Sequence, residues 1–146
     1  MEHQLKIAYL TLQTTSEGQA AHAHVHEIVK GLRQRGVDVN VFEPDYHDKK
    51  PGLLRRAVEF LRVQLRLAVH IFEFDIIYVR EHFGALFIAL LSSVIGRPTV
   101  QEVNGPYSDI VSCYPSMAPF AKLLEWATRW QFRAMPCNIL TTTHFR

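Results

Sequence analysis

Apolar and polar positions follow two alternating rhythms along the chain. Residues 5–10, Leu-Lys-Ile-Ala-Tyr-Leu, are a short, mostly apolar, bounded run, which predicts a buried parallel strand. A polar loop over residues 11–19 follows, with Gly18 near its end. Val25, Ile28, Val29 and Leu32 then recur at three- and four-residue spacing, the period of a helix. Gly36 suits the position just past that helix, after Arg33 and Arg35 in its last turn. Residues 37–42 alternate as a strand, and Glu43-Pro44-Asp45 stops it. The two rhythms then repeat. A long helix is predicted over 53–71, opened by Pro51-Gly52, then a strand over 74–80. A helix over 84–95 closes at Gly96, and a strand over 98–103 breaks at Asn104-Gly105-Pro106. A helix over 118–134 and a fifth strand over 138–143 complete the series.

The order β-α-β-α-β-α-β-α-β predicts an α/β fold. It implies a Rossmann-like, doubly wound parallel sheet with helices on both faces, a three-layer sandwich. Ligands of such sheets bind beyond the carboxyl ends of the strands. The loops at 11–20, 43–52, 80–84 and 102–108, and the chain beyond Thr143, are therefore where chemistry is expected.

Length and composition narrow the class. The chain has 146 residues, the size of one domain, so residues 1–146 are read as a single unit. Its 48% hydrophobic and 21% charged content is that of an ordinary globular domain. Sixteen Lys and Arg against fourteen Asp and Glu leave a net charge of +2, too little to argue for nucleic-acid binding. Two cysteines, Cys113 and Cys137, make no disulfide framework. The first residues run straight into a strand pattern with no signal peptide, which leads to an expected cytoplasmic location. The longest apolar run, residues 83–95, is only about half to two-thirds of the ~20 residues a spanning helix needs.

The strand ends carry the candidate chemistry. Thr14-Thr15-Ser16-Glu17-Gly18-Gln19 places hydroxyls and a glycine before a helix N-terminus, which suits an anion cradle or, equally, a capped surface loop. It matches neither G-x-G-x-x-G nor the P-loop pattern. His22, His24 and His26 open the first helix, and His22 and His26 have metal-ligand spacing. Without H-E-x-x-H or a nearby cysteine they read as solvated or loop-contacting histidines, and no metal site is assigned. The third strand ends in Arg80-Glu81-His82. There Arg80 suits a phosphate or carboxylate, or else a surface pair with Glu81. The fourth strand ends in Glu102, Asn104 and Gly105, a carboxylate and a carboxamide beside a turn. The helix over 53–71 is sided. Arg55, Glu59, Arg62, Arg66 and His70 share one arc, and Leu54, Val58, Leu61, Leu65 and Ala68 fall opposite. The plain expectation is a packed helix with a solvated basic face; the alternative turns Arg55, Arg62 and Arg66 toward anionic lipid.

These features together resemble the opening domain of the family 4 glycosyltransferases. The first part is H-x-x-E-I-x-x-x-L-x-x-x-G, here His24, Glu27, Ile28, Leu32 and Gly36. Asp75-Ile76-Ile77-Tyr78-Val79-Arg80 resembles the family's "D-hydrophobic-hydrophobic-Y-x-R". Residues 98–106 resemble its "P-x-V-x-E-x-N-G-P". The resemblance spans nearly the whole chain. It implies the N-terminal, acceptor-side domain of a GT-B enzyme, of the kind that serves polysaccharide biosynthesis. Such an enzyme moves a sugar, with retention, from a nucleotide sugar to a glycan or lipid-linked acceptor. The donor and the paired-glutamate motif E-x7-E belong to a C-terminal domain, which is expected to be absent from these 146 residues and to be supplied by a separate chain. Glu73 and Glu81 have that spacing but straddle the third strand. On this reading Gly18 and Gln19 border the cleft, and Arg80, Glu81 and His82 line the acceptor side. Glu102, Asn104 and Gly105 lie near the sugar, no catalytic residue or cofactor is held by this domain alone, and the chain alone is inactive. The family's paired glycines in the first loop are here Gln19 and Ala20, and Asn104 stands where many members have histidine. Two other readings stand beside it: a flavodoxin-like FMN carrier, and a non-catalytic module that binds a membrane surface or a partner.

Overall fold

The computed structural model describes residues 4–13, 20–45, 52–105, 111–112 and 115–140. Five strands alternate with four main helices: β1 Lys6–Leu10, α1 Ala20–Gln34, β2 Asp38–Phe42, α2 Leu53–His70, β3 Ile76–Arg80, α3 Leu86–Val94, β4 Thr99–Val103, α4 Ala121–Ala134 and β5 Cys137–Leu140. The strands form one all-parallel sheet in the order β2-β1-β3-β4-β5. The expected α/β, Rossmann-like doubly wound fold is what the chain adopts. The main boundary differences are two tight 3₁₀ turns: Phe83–Ala85 overlaps the expected start of the helix over 84–95, and Pro115–Phe120 overlaps the expected start of the helix over 118–134. Pro119 lies inside the second turn, and a proline there lacks the N–H that an α-helix would use. Gly36 and Gly96 end α1 and α3 with φ of +82° and +70°, the left-handed geometry that only glycine adopts without strain.

Alternate residues of each strand point to opposite faces of the sheet. Ile7, Tyr9 and Val39 pack with Val25 and Val29 of α1 on one face. Ala8, Leu10, Ile77 and Val79 pack on the other face against Val63 and Leu67 of α2, Ile88 and Ala89 of α3, and Ala134 of α4. Thus α1 covers one face, while α2, α3 and α4 form a layer on the other. Toward β5 the α1 face opens, where Cys137 and Ile139 are exposed beside Val100 and Glu102.

The packing of α2 corrects one expectation. Its core-facing side chains are Val63, Gln64 and Leu67, with Phe60 and Ala68 beside them. The apolar arc of Leu54, Val58, Leu61 and Leu65 instead faces solvent, with Leu54 81% exposed. At 100° per residue the helix has three sectors, not two. Val63 and Leu67 form the buried one, the arginines a second, and the leucine arc a third beside the arginines. Leu67→Ala is therefore expected to cost about 2–5 kcal/mol, the range for a fully buried leucine. Leu65→Ala, two positions away and half exposed, is expected to cost less than about 1 kcal/mol. Urea denaturation of the two variants checks this; equal losses would place the wrong arc against the sheet.

Candidate functional site

Four polar side chains converge on the Glu102 carboxylate on the α1 face of the sheet. Register brings them there: Tyr9 sits beside Tyr78 across β1 and β3, and Arg80 beside Glu102 across β3 and β4. The hydroxyls of Tyr9 and Tyr78 donate to Glu102 Oε2 at 3.1 and 3.2 Å. Arg80 Nη1 donates to Oε1 at 3.0 Å, and His24 Nε2 of α1 lies 3.0 Å from the same oxygen. Arg80 Nε also donates to Gln13 Oε1 at 3.1 Å, which ties the loop after β1 to the end of β3. The Tyr9 and Tyr78 rings stack with centroids 4.8 Å apart.

Burial makes this arrangement demanding. Glu102 is 1% exposed and Arg80 7%. Neither charge is tolerated in such a place without a partner, and a carboxylate has about four acceptor positions to fill. Burial, and after it the Glu102 charge, push both tyrosine hydroxyls above their ordinary range, so they remain protonated donors. Residues Tyr9, Gln13 and His24 enter this network without having been singled out for it. The available signal was the polar head of Tyr9 on an otherwise apolar inner strand, since a buried phenol needs a hydrogen-bond partner.

The expected site residues thus divide. Arg80 does not pair with Glu81; it points inward to Glu102, because β4 supplies a carboxylate in register with it. Glu102 is saturated by its four partners, so its part is to hold Arg80 and the two tyrosines. Glu81 lies at the carboxyl edge, where its Oε2 accepts the Asn104 N–H at 3.2 Å. Burial pushes its carboxyl up to about 7 against the Asn104 and Gly105 N–H groups, which pull the other way. His82 packs between the rings of Phe60 and Phe83, and its Nδ1 accepts the Gly84 N–H at 3.1 Å. Burial, and after it the Arg56 charge, push His82 down to about 4. Gly18 and Gln19 lie outside the described residues. His22 and His26 meet edge to face, 4.0 Å between centroids, yet no group of three potential metal ligands forms among the described residues. Arg55, Arg62 and Arg66 lie on α2, on the opposite side of the sheet from this cluster.

Among the described residues, three buried polar atoms at the carboxyl ends have no hydrogen-bond partner: Thr11 Oγ1, His22 Nδ1 and Asn104 Nδ2. Thr11 follows β1, His22 lies in the first turn of α1 and Asn104 follows β4. Such atoms carry a desolvation cost that a ligand hydroxyl or water removes.

The two perturbed groups act on stability in opposite directions. His82 is neutral in the fold down to about pH 4, while the unfolded chain takes up its proton near 6.5. Its contribution is complete above pH 6.5 and is lost as pH falls toward 4. Glu81 stays protonated up to about 7 in the fold but ionises near 4.5 when unfolded, so its contribution is lost as pH rises through 7. His82→Asn is expected to flatten the acid side of the stability profile, and Glu81→Gln the neutral side. Urea midpoints from pH 4 to 8 check this, and variant curves parallel to wild type would contradict both assignments. Set beside known proteins, the chain matches no protein-family model and no curated relative.

Proposed function

We propose that this chain is the acceptor-binding half of a GT-B glycosyltransferase resembling family 4. It holds a hydroxyl-rich glycan or lipid-linked acceptor at the carboxyl edge of β1, β3 and β4. Sugar transfer then needs a donor-binding domain that brings the nucleotide sugar. The observation that carries the reading is the set of buried atoms at that edge that have no partner among the described residues, Asn104 Nδ2 above all. A carboxamide donor and a hydroxyl suit sugar hydroxyls, which both donate and accept. Glu81 and Gly105 flank Asn104 directly, and Arg80, fixed by Glu102, has N–H groups beyond the two engaged in the network. In this reading Asn104 orients a hydroxyl and moves no proton, since a carboxamide does not titrate at neutral pH.

A second reading has its own support. The strand order β2-β1-β3-β4-β5 is the flavodoxin-like order, in which FMN sits where β1 and β3 diverge. Screening the labelled chain on an array of bacterial and plant oligosaccharides, with an absorbance scan of the purified protein, separates the two. The proposal expects a colourless protein and a retained saccharide class, bound about three- to tenfold more weakly by Asn104→Ala. A yellow holoprotein with flavin absorbance, or the absence of any retained saccharide, would contradict it.

A further inference from the structure

The layer of α2, α3 and α4 has an outer surface that its own core does not explain. On α2 the exposed stripe runs from Leu54 through Leu61 and Leu65 to Val69, and Phe72 continues it just beyond the helix. On α3, which packs between α2 and α4, Phe87, Leu90 and Val94 are exposed, Val94 by 84%. On α4 the exposed apolar residues are Leu123, Trp126 and Trp130. Apolar faces of this breadth on three neighbouring helices mark an interaction surface, not scattered surface leucines.

Charge identifies what covers it. α2 carries Arg55, Arg56, Arg62 and Arg66 against Glu59, a net of +3. α4 carries Lys122, Arg129 and Arg133 against Glu125, a net of +2. α3 has no charged residue. The two helices together hold +5, while the whole chain holds +2, so everything else sums to −3. Apolar side chains and cations are thus gathered on one side of the sheet. A second copy docked face to face would oppose two net-cationic surfaces. An anionic bilayer takes both features at once: apolar side chains enter the headgroup boundary, while arginines stay at the phosphates on their long stems. Both tryptophans of the chain lie on this face, and tryptophan favours that boundary. Among the described residues no helix is long and apolar enough to cross a membrane, which leaves an association with the surface.

We propose that the outer face of the α2–α3–α4 layer seats on an anionic lipid bilayer, with Leu61, Leu65, Trp126 and Trp130 entering the headgroup boundary. The sheet then lies along the bilayer with the helix layer between. The Glu102 network and α1 face away from lipid, about one helix diameter, ~10 Å, beyond it. The carboxyl ends of β1, β3 and β4 then lie along the surface, within reach of a lipid-linked substrate. The docking does not depend on the proposed reaction.

Tryptophan fluorescence of the unmodified chain tests this, because both reporters are on the docking face. Vesicles of phosphatidylcholine with phosphatidylglycerol are expected to shift emission to the blue, and brominated lipid in those vesicles to quench it. Vesicles of phosphatidylcholine alone are expected to do neither, and high salt to weaken binding. Arg62→Gln with Arg129→Gln is expected to lower partitioning roughly 25-fold, at about fivefold per cation near an anionic surface. Leu61→Gln with Leu65→Gln is expected to lower it at least tenfold while thermal unfolding shifts little, since both side chains are about half exposed. Absent quenching, or equal binding to neutral vesicles, would overturn the proposal. So would a concentration-dependent dimer dispersed by the leucine substitutions, which would assign the face to a second copy. None of these readouts involves a saccharide, so they stand or fall apart from the reaction proposed above.

Discussion

A single buried carboxylate organises the α1 side of the sheet. Glu102 sits in a middle strand at 1% exposure, and the sheet is arranged so that everything around it donates. β1 and β3 each contribute a tyrosine, β3 an arginine and α1 a histidine. The contacts join β1, β3, β4 and α1 on one face of the sheet, where α1 is the helix that covers them. Through Arg80 the network reaches Gln13, and through the backbone it reaches the next turn, since Glu81 N–H donates to the Glu102 carbonyl at 2.8 Å. Replacing only one member of a buried ion pair strands the other charge, which makes the cluster a unit rather than a set of separable contacts.

The opposite face is built differently. There the core is apolar between sheet and helices apart from a few buried amides and hydroxyls, including Gln101 and Gln131, whose side-chain atoms have no hydrogen-bond partner among the described residues. The layer is amphipathic in an unusual sense: it buries one apolar sector on the sheet and exposes a second. The basic residues occupy the ground between. That division separates the molecule into a polar carboxyl edge, where we propose a hydroxyl-rich ligand, and an apolar side with basic residues, where we propose a charged lipid surface.

Much of the fold was legible because its strands are short, apolar and bounded, and its helices carry a clear 3.6-residue period. The strand ends led directly to Arg80, Glu81, His82, Glu102 and Asn104, since a parallel sheet collects chemistry there. Partners across strands were not legible. Arg80 and Glu81 are neighbours in sequence, but the register of β3 against β4 turns Arg80 to Glu102 instead. Tyr9 and Gln13 were hidden for the same reason, their partners being 93 and 67 positions away. The packing of α2 was misread because an apolar arc predicts a buried face only when a helix has a single one. Here Val63 and Leu67 supplied the buried face, and the longer leucine row was left outside.

The buried network is tested most directly by titrating its two phenols. Tyrosine ring-carbon NMR with selective labelling follows Tyr9 and Tyr78 separately as pH rises. Held in a buried site against the Glu102 carboxylate, both are predicted to stay protonated well above the ordinary value of about 10, and in the Glu102→Gln variant to titrate lower than in wild type. Ionisation of either phenol near pH 10 in the folded protein, unchanged by that substitution, would contradict the account.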